Sequence, residues 1–495
     1  MGIARFAIAV AVSGAALLSG RLEARTCTDL QQLSIDTVSI TAAEQRAAGA
    51  LEQRFGPAVD YPAHCRVAAV LRPSADSHIE MELWLPDDWN GKFLALGNGG
   101  WAGSISYSAM AAGLQSGYAV ASNDTGHKGG SAAFAVGHPE KVVDFAWRAM
   151  HEMTLHSKQL IEARYERAPR LSYYEGCSTG GRQGLMEAQR FPGDFDAIIA
   201  GAPVNNQLTL NATQLHTMKT LIERRSLALP PDKVRMVHDA VLAACDANDG
   251  VADGFLNDPL ACDFSPESLQ CGNVSTAACL TPDQVHSVNA AYAGVYSGDG
   301  DLLYPGHARG FELGWRIPAE GTEPTALQTD ATRYLVYEDA DWDWREFDLD
   351  RDLALVLEKA GYIEALETDL SEFRDRGGKL LLYHGWNDPG PSPLNTIEYY
   401  EGVLASLGES QDDWLRVYMM PGMGHCRGGI GPDRADFLGA IDDWVENDAA
   451  PDAIEASRVS DGSVEMTRPL CPFPQAAVYT GSGSTNAVEN FLCSH

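Results

Sequence analysis

The chain is poor in positive charge. Its 36 Lys and Arg stand against 68 Asp and Glu, a formal charge of −32 over 495 residues. A surface that acidic repels polyanions, which excludes nucleic acid and anionic lipid as partners. Long apolar runs are scarce as well. The one near the N-terminus, Phe6 to Leu18, is shorter than the roughly 20 residues of an ordinary membrane span. It follows Arg5 and leads to a small-residue cleavage point after Ala24, so residues 1–24 read as a secretory signal, with an uncleaved anchor as the alternative. No other segment is apolar over enough length to cross a bilayer, and the mature chain is expected to be soluble and secreted or periplasmic. C-x-x-C pairs are missing, which removes the zinc ribbon and the thioredoxin-like site. Internal repeats and low-complexity tracts are missing too, and 45% apolar with 21% charged residues is ordinary globular composition.

What is present begins with ten cysteines after the signal: Cys27, Cys65, Cys177, Cys245, Cys262, Cys271, Cys279, Cys426, Cys471 and Cys493. An even number in an exported chain implies disulfides and an oxidising compartment.

Short apolar runs bounded by glycine or polar residues mark buried strands at Phe93 to Leu96, Tyr118 to Ala121, Leu171 to Glu175 and Ala197 to Gly201. Helical periodicity runs from Val142 to Arg164 and from Arg182 to Arg190. The alternation resumes with strands at Leu380 to Tyr383 and Leu415 to Met419 and a helix at Ala435 to Glu446. Strands alternating with helices predict an α/β fold, a mostly parallel sheet covered on both faces. Between about Asn205 and Arg374 the alternation weakens, and four cysteines, many Gly and Asp, and the aromatics Tyr304, Phe311, Trp315, Tyr334, Tyr337, Trp342 and Trp344 appear instead. The expected organisation is therefore an α/β-hydrolase domain in two pieces, 25–204 and 375–495, with 205–374 inserted as a lid; a purely structural elaboration is the other reading.

The chemistry centres on Gly176-Cys177-Ser178-Thr179-Gly180, a G-x-S-x-G placed between a predicted strand and a predicted helix. A serine there sits on a tight turn that lifts its hydroxyl clear of the sheet. Serine needs a base, and the base needs an orienting acid. Asp388 follows the strand Leu380 to Tyr383 in His384-Gly-Trp-Asn-Asp388-Pro, and His425 follows the strand ending at Met419 in Pro421-Gly-Met-Gly-His425-Cys426. The order Ser, acid, His is that of α/β-hydrolases. If Ser178 and His425 meet, their neighbours Cys177 and Cys426 are placed to be bridged, which would fix the two catalytic loops together. Thr179 N–H is expected to supply one oxyanion donor. The run Gly97-Asn-Gly-Gly100-Trp is placed to supply the other, taken as Gly100 although the sequence does not say which glycine donates.

Cys245-Asp-Ala-Asn-Asp-Gly-Val-Ala-Asp-Gly-Phe255 concentrates carboxylates in a turn-rich loop. Asp246, Asp249 and Asp253, with the carbonyls of Val251 and Phe255, offer the oxygen ligands of a structural Ca²⁺, although Gly250 breaks the EF-hand pattern; a solvated acidic turn is the alternative.

With these residues in place, the chain resembles the tannase/feruloyl esterase family, which also contains mono(2-hydroxyethyl) terephthalate hydrolase. The resemblance runs through nearly all of the mature chain: Gly97-Asn-Gly-Gly-Trp-Ala-Gly103, Asn123-Asp-Thr-Gly-His127, Phe145-Ala-Trp-Arg-Ala-Met-His151, Gly176-Cys-Ser-Thr-Gly-Gly-Arg182, His384-Gly-Trp-Asn-Asp-Pro389 and Pro421-Gly-Met-Gly-His-Cys426. It implies Ser178, Asp388 and His425 as triad, bridged at Cys177 and Cys426, and calcium at Asp246, Asp249 and Asp253. It also implies the pairs Cys27–Cys65, Cys245–Cys262, Cys271–Cys279 and Cys471–Cys493, and an α/β-hydrolase fold with a lid. The implied substrates are small esters of aromatic carboxylic acids, hydroxycinnamate, galloyl or terephthalate mono-ester, with no organic cofactor. The lid aromatics are candidates to stack on the acyl group, and Arg316 or Arg333 to meet a second carboxylate; burial of the aromatics in a core is the alternative. A serine peptidase on the same fold, or an inactive secreted binding module, are the rival functions.

Overall fold

The computed structural model describes residues 25–52, 58–274, 276–315, 322–408 and 410–494; the signal segment 1–24 and Arg316 lie outside them. Nine strands form one sheet: β1 (Val38–Arg46), β2 (His64–Leu71), β3 (Ile79–Pro86), β4 (Lys92–Leu96), β5 (Ala119–Asn123), β6 (Leu171–Cys177), β7 (Ala197–Gly201), β8 (Lys379–Gly385) and β9 (Leu415–Met420). Their order is β1-β2-β3-β5-β4-β6-β7-β8-β9. The first three pair antiparallel and feed into β5 antiparallel. Every pairing from β5 to β9 is parallel.

Period-two alternation explains why these short runs become central strands. On β4, Phe93 and Ala95 enter one apolar layer while Leu94 and Leu96 enter the other; on β8, Leu380 and Leu382 oppose Leu381 and Tyr383. The first layer is closed by α2 (Ala149–Tyr165), α3 (Thr179–Arg190) and α8 (Pro393–Leu407), the second by α1 (Tyr107–Gln115) and α9 (Phe437–Asn447). The helix read from Val142 onward is interrupted by a π-turn at Asp144–Arg148 before α2 begins.

Residues 202–378 interrupt the alternation between β7 and β8. They hold α4 (Gln207–Glu223), α5 (Pro231–Cys245), α6 (Pro282–Ala293) and α7 (Leu349–Ala360), with 3-10 turns and a two-stranded hairpin at Val295–Tyr296 and Leu302–Tyr304. Two apolar clusters of their own hold them together, one around Val237, Val241 and Phe264, the other around Trp342, Trp344 and Phe347. Of the seven aromatics singled out in this stretch, Tyr304, Phe311, Trp342 and Trp344 are buried. Of the remainder, Trp315 and Tyr334 pack against apolar clusters and Tyr337 stacks on Trp342.

All five disulfides form as the resemblance implied: Cys27–Cys65, Cys177–Cys426, Cys245–Cys262, Cys271–Cys279 and Cys471–Cys493. Among the described residues no helix is long and apolar enough to cross a membrane.

Candidate active site

Ser178 occupies the single residue between β6 and α3, with φ +66° and ψ −124°. That is strained backbone for an L-residue and persists only where its surroundings force it. Its N–H donates to Gly201 O at 2.9 Å, and its carbonyl accepts from Val204 N–H at 3.2 Å. The flanking glycines let strand and helix close around it. A Cβ on Gly176 would lie 2.7 Å from the Gly180 carbonyl, and one on Gly180 would lie 2.9 Å from Asn98 O. The turn therefore needs glycine on both sides, for space rather than for flexibility.

His425 and Asp388 come to this turn from the carboxyl ends of β9 and β8. His425 Nδ1 lies 2.7 Å from Asp388 Oδ2, and its Nε2 lies 2.9 Å from Ser178 Oγ. A carboxylate can only accept, so Nδ1 carries the proton and Nε2 is free to accept from the serine hydroxyl. Cys426 has φ +60°. Its disulfide to Cys177 spans 249 residues of sequence with the Cα atoms 6.0 Å apart, and ties the base loop to the serine turn.

Asp388 is fully buried and carries more donors than its serine–histidine partnership requires. Gly390 N–H donates to Oδ1 at 2.7 Å, and His384 Nε2 reaches Oδ2 at 3.2 Å. His384 Nε2 also faces Pro391 O at 3.2 Å, so it bears the proton, and Nδ1 accepts from the Thr396 hydroxyl at 2.7 Å. Burial alone would push the Asp388 carboxyl up. The hydrogen bonds from His384 and His425 outweigh it and hold Asp388 at about 2. Two imidazoles thus converge on one carboxylate oxygen. His384 stands in the same sequence motif as Asp388, but nothing in the sequence distinguished it from a loop histidine; its place as the penultimate residue of β8, four before the acid, is the signal.

Loop contacts from the inserted segment brace the acid. Ser392 N–H donates to Tyr304 Oη at 3.0 Å, the Ser392 hydroxyl donates to Gly306 O, and Asn387 Nδ2 donates to Gly310 O at 3.0 Å.

Thr179 begins α3, where backbone N–H groups have no intrahelical acceptor. Its hydroxyl donates to Gly100 O at 3.0 Å, which brings the glycine run against the serine turn. Gly100 itself has φ +57°. Gln183, one turn along α3, clamps the same loop: its Oε1 accepts from Asn98 N–H at 2.9 Å and its Nε2 donates to Asn98 Oδ1 at 3.1 Å. From below, Asn98 Nδ2 donates to Asn123 O at 2.8 Å and His127 Nε2 reaches Trp101 O at 2.8 Å. Trp101 stacks on Phe145 with ring centroids 4.9 Å apart, and buried Arg182 donates to Ala146 O and to Ile363 O of the insert, each at 2.8 Å. The motifs at 97–103, 123–127 and 145–151 are thus largely one scaffold under the glycine loop. Leu327, from the insert, comes within 3.3 Å of a Cβ placed on Gly100 and covers that loop from above.

The acidic loop runs beside the loop that carries His425: a Cβ on Gly422 would lie 3.1 Å from the Phe255 ring. Asp246 accepts from Asp253 N–H at 3.3 Å and Gly254 N–H at 3.1 Å, and Asp249 accepts from Val251 N–H at 2.9 Å. Asp253 Oδ2 pairs with buried Arg468 at 2.6 Å, and its Oδ1 is buried without a partner among the described residues. Burial, with the Asp253 and Asp246 charges, lifts Asp249 to about 6. One arginine faces three carboxylates, so the loop holds more negative charge than it matches. Val251 and Phe255 are both buried beside it. Arg333 Nε is buried without a partner among the described residues.

Residues 65–494 match the family model for tannase and feruloyl esterase. The chain is 36% identical to an uncharacterized esterase of Xanthomonas campestris pv. campestris, over 97% of this chain and 92% of the relative. It is 35% identical to a probable feruloyl esterase B-1 of Aspergillus flavus, over 87% and 86%. The crystal structure of feruloyl esterase B from Aspergillus oryzae superposes with a TM-score of 0.87 at 30% identity, covering 94% of this chain and 99% of that one. Tannin acyl hydrolase from Aspergillus niger shares the fold, with a TM-score of 0.74 at 22% identity over 93% and 92%.

Proposed function

Because the chain belongs to the tannase and feruloyl esterase family and is a carboxylic ester hydrolase, we propose that it is an exported esterase that cleaves esters of aromatic carboxylic acids through Ser178, His425 and Asp388. The observation that carries this reading is the unbroken hydrogen-bonded line from Ser178 Oγ through His425 to Asp388, at 2.9 and 2.7 Å. Five disulfides support export to an oxidising compartment.

Ser178 Oγ attacks the ester carbonyl while its proton passes to His425 Nε2, and Asp388 stabilises the imidazolium. The carbonyl oxygen takes the negative charge and is held by Thr179 and Gly100 N–H. The tetrahedral species collapses as the ester C–O bond breaks and His425 returns the proton to the leaving alkoxide. Water, deprotonated by the same nitrogen, then attacks the acyl-enzyme and releases the acid and Ser178. Residues 205–374 act as a lid: Leu327 over Gly100 supports a covered acyl pocket, and Arg333, whose Nε is buried without a partner among the described residues, is the candidate cation for an acyl-side polar group. A panel of methyl ferulate, methyl gallate, a terephthalate mono-ester and p-nitrophenyl acetate tests the reading. Turnover of at least one aromatic ester well above the acetate is expected; turnover of the acetate alone would refute the aromatic acyl pocket.

His384 is a positioning residue in this scheme. His384→Leu removes one of the two donors that hold Asp388 Oδ2, and kcat should fall roughly tenfold with KM little changed. The Asp388 carboxyl is depressed in the fold to about 2. It therefore contributes stability that is full above its ordinary carboxylate range and is lost as pH falls toward 2. In the variant the Asp388 carboxyl is less depressed, so this contribution is smaller and is exhausted at a higher pH, and the acid-unfolding midpoint should rise. An unchanged kcat and midpoint would remove His384 from the scheme.

The acidic loop fits a calcium ion by its charge imbalance and by the partnerless Asp253 Oδ1. Asp246, Asp249 and Asp253 with the carbonyls of Val251 and Phe255 would hold it, and the ion would neutralise the loop where Val251 packs on the antiparallel pair Ala476–Tyr479 and Phe491–Ser494. Chelation should lower Tm by about 3 °C, restored by calcium and not by magnesium. An identical Tm with chelator and with calcium would leave the loop as a solvated acidic turn.

A further inference from the structure

His151 on α2, Glu187 on α3 and Asp194 in the turn after α3 bring their ligating atoms within 4.8 Å of one another. None of them takes part in the ester chemistry. Glu187 is 1% exposed, and neither of its carboxylate oxygens has a hydrogen-bond partner among the described residues. Asp194 is buried beside it and meets His151 Nδ1 at 2.6 Å. The imidazole is held in place by stacking on Phe191, with centroids 3.7 Å apart and planes 12° from parallel.

Two buried carboxylates need positive charge or hydrogen bonds to be tolerated. The cation beside them is Lys158, whose ammonium donates to the main-chain oxygen of Asp194 and lies 5.8 Å from the Phe195 ring centre. A single ammonium matches one carboxylate, which leaves one negative charge and two bare Glu187 oxygens. The alternative is a proton shared between Glu187 and Asp194, with His151 Nδ1 donating to Asp194; three ligating atoms gathered at one buried point suit a cation as well. We propose that His151, Glu187 and Asp194 form a binding site for a divalent transition cation, zinc or manganese.

The donor set suits that class. One imidazole nitrogen with two carboxylate oxygens matches borderline cations, whereas calcium and magnesium favour all-oxygen shells. Access comes from the His151 side, where the side chain is 21% exposed while that of Asp194 is 9% exposed. A cation here would join α2, α3 and the turn between α3 and β7. Glu187 lies nine residues beyond Ser178 on the helix that starts at the nucleophile, roughly 13 Å along the axis. The site is thus a structural clamp on the far end of that helix.

The test uses the full mature protein, stripped with chelator and returned to buffer with calcium in excess, so that the acidic loop is in one state in every arm. Zinc, and separately manganese, is added; bound metal per chain is read by plasma emission after gel filtration, and Tm is read in parallel. The expected result is about one zinc or manganese per chain and a Tm rise of about 3 °C. Glu187→Gln and His151→Gln should each lose both responses and keep ester turnover within about twofold, because neither residue touches the reacting atoms. Two variants keep the test open should one fail to fold. The proposal is overturned if the wild type retains neither metal, or if both variants retain it equally, which would mark adventitious surface binding. A Glu187→Gln protein as stable as the wild type, with no metal response in either, would overturn it in favour of a shared proton.

Discussion

Ser178→Ala is expected to lower kcat by about 10⁵-fold, a loss of roughly 7 kcal/mol of transition-state stabilisation, while KM and Tm change little. The size of the loss follows from what remains. Without Oγ no acyl-enzyme forms, so only water held near the site can attack, and the donors at Thr179 and Gly100 still favour the tetrahedral species. The small effect on the fold follows from the turn. The strain at Ser178 is carried by backbone, φ +66° with its N–H on Gly201 O, and alanine can occupy the same conformation. What the substitution removes is the hydrogen bond from the serine hydroxyl to His425 Nε2. Steady-state kinetics on the best aromatic ester and a melting curve check both halves. A variant retaining more than about a hundredth of wild-type kcat would place the nucleophile elsewhere.

Asp388→Asn should lower kcat by about 10⁴-fold and also lower Tm. The two effects have separate causes. Asp388 accepts from three donors: His425 Nδ1 and His384 Nε2 on Oδ2, and Gly390 N–H on Oδ1. Asparagine has one acceptor oxygen, so its amide NH₂ must face either the two imidazoles or the Gly390 N–H. The first choice turns the His425 tautomer away from the serine; the second sets two donors against each other in a fully buried site. Both remove the charge that offsets an imidazolium. The buried donor conflict costs on the order of 1–3 kcal/mol of stability. A matched measurement of kcat, KM and Tm separates the causes, and a drop in Tm with kcat within tenfold of wild type would reduce Asp388 to a structural acid.

The parts of this structure legible in the sequence are those with a short period and a local cause. Phe93 to Leu96 and Ala197 to Gly201 are apolar on both faces because both faces of a parallel sheet are covered, and they stand out as runs. The G-x-S-x-G turn and the glycine–histidine loop are punctuation that sterics require. The antiparallel strand Val38–Arg46 was not legible, because it sits at the sheet edge with largely intermediate and exposed residues, and its register is set by pairing with β2. The insert shows no strand–helix alternation, because its helices α4 to α7 are joined by 3-10 turns and two- or three-residue strands rather than by strands of the main sheet. The acid's second histidine and the clamp of Gln183 on Asn98 depend on elements far apart in sequence. Buried polar pairs of that kind carry no pattern in one chain. The aromatics of the insert were visible but ambiguous, and packing against Leu349 and Leu353 claims Trp342 and Trp344.

The central claim is that Ser178 is a nucleophile activated by His425. Intact mass of the mature protein after brief exposure to a fluorophosphonate, followed by peptide mapping, tests it most directly. One phosphonyl group per chain on the peptide bearing Ser178, absent in Ser178→Ala and strongly slowed in Asp388→Asn, is the predicted result. An unlabelled wild type that is folded and disulfide-intact, or a label on another residue, would contradict it.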